Sequence, residues 1–328
     1  MAVARENVLS TSHAETFLRG AVALSQLSTG ITPTQLNQSR TVQEAPRARL
    51  FGTEAELARP LSWWDLFTWW HVTAMNWPGS NRAHRGPVFL PWHRLFLRRL
   101  EEAIQTVSGD PGFGLPYWDW AADGALSGSD QLQAPIWSLL GPPSGTIDKG
   151  TAGELRVRLY NSSQDGRIYV GAPRPIWRTA KSTFGLPTPA EEAATLKDDR
   201  YDNPPWNEDS LRFRNKAEGW TDPLERPTAS QGPQMHNRVH VWVGGEMAPG
   251  SSPNDPVFWL NHCNIDRIWE GWMAKHGRQY QPGAGEGPPG QRLDDQLFSI
   301  VWPTMTPKQL LDPGSAGLDW FEYDELPV

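Results

Sequence analysis

The sequence holds a single cysteine, Cys263, in 328 residues. An internal disulfide is therefore impossible, and a cysteine-rich zinc site is excluded as well. Positive charge is in short supply: 30 Lys and Arg face 37 Asp and Glu, a formal charge of −7. Nucleic acid or an anionic membrane surface would call for the opposite balance. No stretch approaches the ~18 consecutive apolar residues of a membrane-spanning helix. The opening MAVARENVLSTSHAETF also lacks the apolar core of about 7–15 residues that a secretory signal carries. The chain reads as a soluble protein without its own signal peptide, with no nucleic-acid or membrane partner.

Tryptophan, by contrast, is abundant. There are 18 in the chain, several-fold above ordinary globular usage. The 30 glycines and 30 prolines indicate that much of the backbone is punctuated loop. At roughly 100–200 residues per domain the length allows one large domain or two ordinary ones. No repeat and no internal linker is visible, so the reading is a single domain, 1–328.

Four segments carry helical signals. Residues 11–28 place Phe17, Val22, Leu24 and Leu27 near helical spacing. Residues 62–76 open with Ser62 and Asp65, an N-cap with its acidic partner three positions on. Residues 87–107 align Phe89, Leu90, His93, Leu97, Leu100 and Ile104 in one stripe, with Arg98 and Glu102 paired outside it. Residues 255–276 start Asp-Pro and run into Gly277, the expected end-group asymmetry of a helix. A shorter helix is expected over 233–243. The middle, 108–232, with PGFGLP, GPPSG, GLPTP and DNPPW, reads as irregular and wrapped over a site. Residues 281–291 read as a further loop, and the tail 292–328 carries Trp302, Trp320, Phe321 and Tyr323 to pack back. The fold class is mainly α: a four-helix bundle core holding a dinuclear metal site, with long irregular loops and little sheet.

Six of the eight histidines fall into two groups of three. His71 lies on helix 62–76, His84 in the loop after it, and His93 on helix 87–107. His236 and His240 are four apart and share one helix face, and His262 follows on helix 255–276. Imidazoles presented inward from facing helices are how a bundle builds a two-metal site. No carboxylate or thiolate is needed to complete either group, which disfavours magnesium, calcium and the two-His-one-carboxylate iron pattern. Copper is favoured by the affinity order, and zinc with three histidines and a water stays open. Two coppers about 4 Å apart would each supply one electron to O₂. His13 and His276 read as structural, the latter at a helix end where positive charge is favourable.

Longer strings are more specific. HRGPVFLPWHR (84–94), LPYWDW (115–120), MHNRVHVWVGG (235–245) and SPNDPVFWLNHCNIDRIW (252–269) closely resemble the tyrosinase family of type 3 copper proteins, most strongly its compact bacterial members. The similarity covers most of the chain, from VARENV near the start to the aromatic tail. The resemblance implies that His71, His84 and His93 bind one copper ion and His236, His240 and His262 a second, with O₂ as co-substrate. It implies ortho-hydroxylation of monophenols and oxidation of o-diphenols to o-quinones. The family's paired Asn and Glu, which hold a water proposed to take the phenol proton, map to Asn237 and to Glu218 in FRNKAEGW (213–220). That proton needs help, because a phenol with a pKa of about 10 is neutral at pH 7.

By the same resemblance Val241 lies at the substrate entrance. Asn261, where the family usually shows a second histidine beside the ligand, is assigned to substrate preference. The segment 221–234 is longer than in compact relatives. The thioether that many fungal and plant relatives form near the first copper is absent, and Cys263 reads as a small buried residue. Phe258 and Trp259 read as core, Phe258 beneath the metal pair. A catechol oxidase or an o-aminophenol oxidase is the alternative within the family. An oxygen carrier or a zinc hydrolase is a more distant one. Compact relatives often receive copper from a small partner protein, so a copper-chaperone partner is expected to be possible here, with the protein cytoplasmic or exported alongside it.

Overall fold

A computed structural model describes residues 2–38, 48–77, 81–161, 167–181, 183–226, 232–312 and 320–327. Helix α1 (His13–Gln26), α2 (Trp63–Met75), α3 (Phe89–Ser108), α4 (Phe213–Glu218), α5 (Met235–Val243) and α6 (Pro256–His276) build the core. The helices expected over 11–28, 62–76, 87–107, 233–243 and 255–276 are all present, each within two residues of its expected ends. Helix α2 begins where Ser62 and Asp65 cap each other reciprocally, satisfying two N–H groups that would otherwise be orphaned. Helix α6 begins at Asp255, which accepts from the Val257 N–H at 3.0 Å and holds Arg178 by a buried two-pronged ion pair at 2.7 and 2.8 Å.

The predicted stripe of α3 is buried, and so are Trp92, Arg94, Leu95, Phe96 and Glu101 outside it. The reason is that α3 lies at the centre: α1 packs on one side and α6 on another. Arg94 is accommodated there by Asp266 (2.7 Å) and Glu270 (2.7 Å) of α6. Arg5, also fully buried, pairs with Glu101 at 3.0 Å and Asp266 at 3.1 Å. Buried charges are tolerated only when paired in this way.

Strands are short. Strand β1 (Val3–Arg5) pairs in parallel with β7 (Phe321–Tyr323). A three-stranded sheet has the order β2 (Arg49–Phe51), β5 (Arg167–Arg174), β4 (Val157–Tyr160), and β3 (Ser144–Thr146) pairs with β6 (Trp177–Thr179). The middle region is thus more regular than expected: it contains β3 to β6, α4 and several one-turn helices. Strands β3, β4 and β6, of three or four residues, carry too little alternation to be read from sequence, and the eight-residue β5 is broken by Gly171 and Pro173, which read as loop.

Tryptophan fills the space between helices. Phe67 and Trp70 of α2 sandwich against Trp302 of the tail, with ring centroids 4.6 and 4.9 Å apart. The indoles of Trp70 and Trp92 both donate to the Phe298 carbonyl, at 3.0 and 2.9 Å. Large aromatic area is buried there while these two polar N–H groups are satisfied. The tail packs against the helix that carries His71, as expected of it. Among the described residues no helix is long and apolar enough to cross a membrane.

Candidate metal centre

The six grouped histidines converge. His71 from α2, His84 from the following loop and His93 from α3 present ring nitrogens that all lie within 4.8 Å of one another. His84, His236 and His262 form a second such group. The rings of His93 and His262 stack at 4.0 Å, which brings α3 and α6 together at the centre. His240 sits beside His236 at 4.5 Å between centroids and 5.7 Å from His262. Phe258, one helical turn before His262, touches rings of both groups: His262 at 4.2 Å, His71 at 5.1 Å and His240 at 5.8 Å. It lies beneath the cluster, as the sequence suggested. His13 and His276 stand apart, the first accepting from the Gly114 N–H at 3.3 Å and the second bonded to the Leu196 carbonyl at 2.9 Å.

A carbonyl can only accept, so its partner nitrogen must carry the proton. Nδ1 of His71 donates to Gly250 (2.7 Å), of His93 to Phe89 (2.7 Å) and of His240 to Met247 (2.6 Å). Nδ1 of His236 is shared between the Glu218 carbonyl (3.3 Å) and Asn237 Oδ1 (3.0 Å). In each ring this leaves Nε2 with its lone pair aimed at the cluster, the tautomer a metal requires. The Nε2 atoms of His71, His93 and His240, and Nδ1 of His84 and of His262, are buried without a hydrogen-bond partner. Nε2 of His236 and His262 lie 3.0 Å apart, close to the spacing of two imidazoles sharing one ion at ~2.0–2.1 Å each. Orphaned lone pairs in a dry cluster are costly unless something takes them up. The donor set therefore fits metal ions.

Burial holds these rings neutral. It pushes the His71 pKa down to about 3 and that of His240 to about 4, with the hydrogen bonds to Gly250 and Met247 acting weakly the other way. His84, His93, His236 and His262 are also lowered well below the ordinary histidine value, first by burial and then by neighbouring imidazoles.

One strap, residues 244–255, supplies the orienting carbonyls for a ring in each group: Met247 for His240 and Gly250 for His71. It is tied down by Glu246, fully buried, which takes the Arg174 guanidinium and the Asn254 amide (3.2 Å for the amide). Asn254 in turn accepts from Thr68 Oγ1 of α2 at 3.0 Å and donates to the Leu159 carbonyl at 2.8 Å. Sequence reasoning missed Glu246, because a buried carboxylate reads like any solvated one until its Arg174 partner is placed.

A cavity of about 250 Å³ opens onto the cluster, walled by His71, His84, His236, His240, Asn237 and Val241, among others. Val241 is 48% exposed and lines the cavity. Asn237 borders the cavity, and its Nδ2 is buried without a partner. Arg85 and Trp220, neither anticipated, complete the mouth, the guanidinium 4.8 Å above the indole. Arg85 adopts φ 58° and Met235 φ 32°, each immediately beside a histidine of the cluster. Non-glycine residues in that region cost of order 1–3 kcal/mol, and such strain gathers at working sites.

Glu218 is fully buried and does not line the cavity. Its carboxylate accepts from the Arg85 N–H at 2.6 Å and pairs with Arg214 at 3.0 Å. Burial raises its pKa, opposed by Arg214 and that N–H. The structure thus brings its backbone carbonyl, rather than its carboxylate, to His236. Asn261 sits away from that cavity. It is buried on α6 with both amide atoms unpartnered and takes no part in the cavity wall. Successive helical residues are ~100° apart, so a neighbour of His262 cannot share its inward face. Cys263 is buried, its thiol directed to the Leu115 carbonyl at 3.2 Å.

Fold and donor set together define a helical metalloprotein whose centre is built from histidine alone. Residues 61–275 match the family described as the common central domain of tyrosinase, and the chain belongs to that family. It is 40% identical to a tyrosinase of Streptomyces glaucescens over 243 residues, 71% of this chain and 79% of the relative. It is 35% identical to grixazone synthase of Streptomyces griseus over 265 residues, 71% of this chain and 80% of the relative. The polyphenol oxidase of Thermothelomyces thermophila shares the fold, with a TM-score of 0.69 at 19% identity, covering 99% of this chain and 89% of its own. Family membership implies a copper-binding oxidoreductase with a dicopper centre, and the histidine groups fit a metal site.

Proposed function

We propose that this chain is a type 3 dicopper oxidase that ortho-hydroxylates monophenols and oxidises o-diphenols to o-quinones, working as a single tyrosinase-like domain over 1–328. The observation that carries the reading is the set of lone pairs from His71, His84, His93, His236, His240 and His262 gathered beneath one cavity. The first three would hold one copper ion and the last three the other. When bound, the copper pair would bind and activate O₂, passing to it electrons that the phenolic substrate supplies.

The protein's own residues do the rest. The cavity admits a phenol past Val241 to the edges of His236 and His240 that line it. Phe258 and the tryptophan layer keep the floor dry. Phenol deprotonation falls to the Asn237 end of the cavity, where the unpartnered amide orients a water. Glu218 acts on that water indirectly, by fixing Arg85 and aiming His236, and Asn261 tunes α6 next to His262. Copper delivery by a small partner protein belongs to the same proposal, with the enzyme either cytoplasmic or exported alongside that partner.

Because Glu218 is committed to Arg214 and Arg85, a second reading, oxidation of o-diphenols or o-aminophenols with weak monophenol turnover, has an observation in its favour. Oxygen uptake by copper-loaded protein given a monophenol, with metal-free protein as control, separates the two. Copper-dependent uptake after a lag supports hydroxylation. Silence with the monophenol and uptake with catechol selects the second reading, and silence with both removes the proposal.

A further inference from the structure

Helix α5 has two working faces. His236, Asn237 and His240 look onto the metal cavity, while Gln234, Arg238 and Val241, spaced i, i+4, i+7, line a second cavity of about 300 Å³ on the other side. The two cavities share Pro233 and Val241, so they meet along the rim of α5. The second chamber is floored by Phe184, 37% exposed, and Val241, 48% exposed. Its two cations are already balanced. Arg238 and Arg226 both pair with buried Glu191, at 2.8 and 2.7 Å, and Arg226 also pairs with Asp222 at 2.6 Å. The buried carboxylates of Glu191 and Asp222 lie behind the two lining guanidinium groups and balance their charge, and the floor is apolar. A one-ring phenol seated over the histidines has no use for this space.

From the continuity of these cavities we infer that the second chamber is a subsite for the substituent of an extended phenol, selecting uncharged apolar groups over anionic ones. The inference deepens the phenol-oxidase reading and rests on it for the word substrate. Its binding prediction, however, can be tested without turnover. Burying about two methylenes of a chain corresponds to on the order of tenfold in affinity.

The test is calorimetric titration, under nitrogen, of the protein with phenol, 4-butylphenol and 4-(4-hydroxyphenyl)butanoate, for wild type and Phe184→Ser. Phe184 is a partly exposed loop residue, and circular dichroism checks that the variant is folded. The expected result is about tenfold tighter binding of 4-butylphenol than of phenol, no such gain for the carboxylate, and a 4-butylphenol to phenol ratio at least halved in Phe184→Ser. Equal affinities for 4-butylphenol and phenol, an equal gain for the carboxylate, or a ratio untouched by Phe184→Ser overturns the subsite. Oxygen uptake with catechol is measured in parallel. Its absence alongside the expected affinity ratios would overturn the oxidase reading and leave the subsite standing.

Discussion

The two histidine groups are built from unequal materials. His71 and His93 stand on helices of 13 and 20 residues, buried along most of their length and braced by tryptophan. His236 and His240 stand on a nine-residue helix with no side-chain N-cap bond, entered through a strained Met235. Helix α5 is held instead from outside: the Gln234 N–H donates to the Gly219 carbonyl at 3.0 Å, and the strap meets His240 at Met247. The first three ring nitrogens already lie within 4.8 Å of one another, whereas the close set around His236 and His262 includes His84 rather than His240. His240 is also partly exposed, at the cavity wall. A site on long buried helices is pre-formed by packing, and one on a short helix depends on its neighbours. On the proposed assignment the first group binds copper more tightly and the second is where substrate enters.

Each prediction presses on that inequality. The largest effect is expected from His93→Ala, which removes the copper of the first group and abolishes oxidase activity. His240→Ala should keep one copper per chain while also losing activity. The affinity of the single copper each variant retains decides: the first-group ion left in His240→Ala should be held more tightly than the second-group ion left in His93→Ala, and equal affinities would erase the distinction. Phe258→Ala, beneath both groups, is expected to cost about 3–5 kcal/mol in metal-free protein, read by denaturant unfolding. A cost under 1 kcal/mol would mean that Phe258 is not the shared floor.

Acid should also expose the metal-free centre. The cluster histidines are depressed from the ordinary 6.5, His71 to about 3 and His240 to about 4. The unfolded chain then binds more protons than the folded one between those values and 6.5, so stability falls as pH falls through that window. Melting of metal-free protein should drop steeply from pH 7 to pH 5, and copper-loaded protein much less. A flat profile for the metal-free form contradicts neutral, buried rings. Glu246→Gln weakens the strap that serves both groups, and a ~10-fold loss of copper affinity is expected, greater for the second copper. Smallest of all, Asn261→His should retain both coppers. Loss of metal would place that position among the ligands.

The parts of this protein that could be read in its sequence are those governed by local rules. The capping pair Ser62–Asp65, the Asp-Pro start of α6 and the stripe of α3 each encode a helix through contacts three or four residues apart. The histidines follow, because their spacing on those helices decides which way they face. What escaped is tertiary. Arg85 and Trp220 meet only because residues 84–88 and 218–220 fold together, and Glu246 matters only once Arg174 arrives from β5. Asn261 is a further case: the sequence marks it only as a departure from the family's usual histidine, and its burial with both amide atoms unpartnered is a tertiary fact. The β2–β5 pairing, Arg49 to Arg167, joins a three-residue strand to one far along the chain, and no local periodicity announces such a partner.

The most direct test of the unequal dicopper centre is stepwise removal of copper by a chelator, followed by metal analysis and oxygen uptake with catechol. Two coppers per chain that leave in separate steps, with activity lost at the first step and His240→Ala lacking that step, is the predicted result. A single copper per chain, or two that leave together in both proteins, would contradict it.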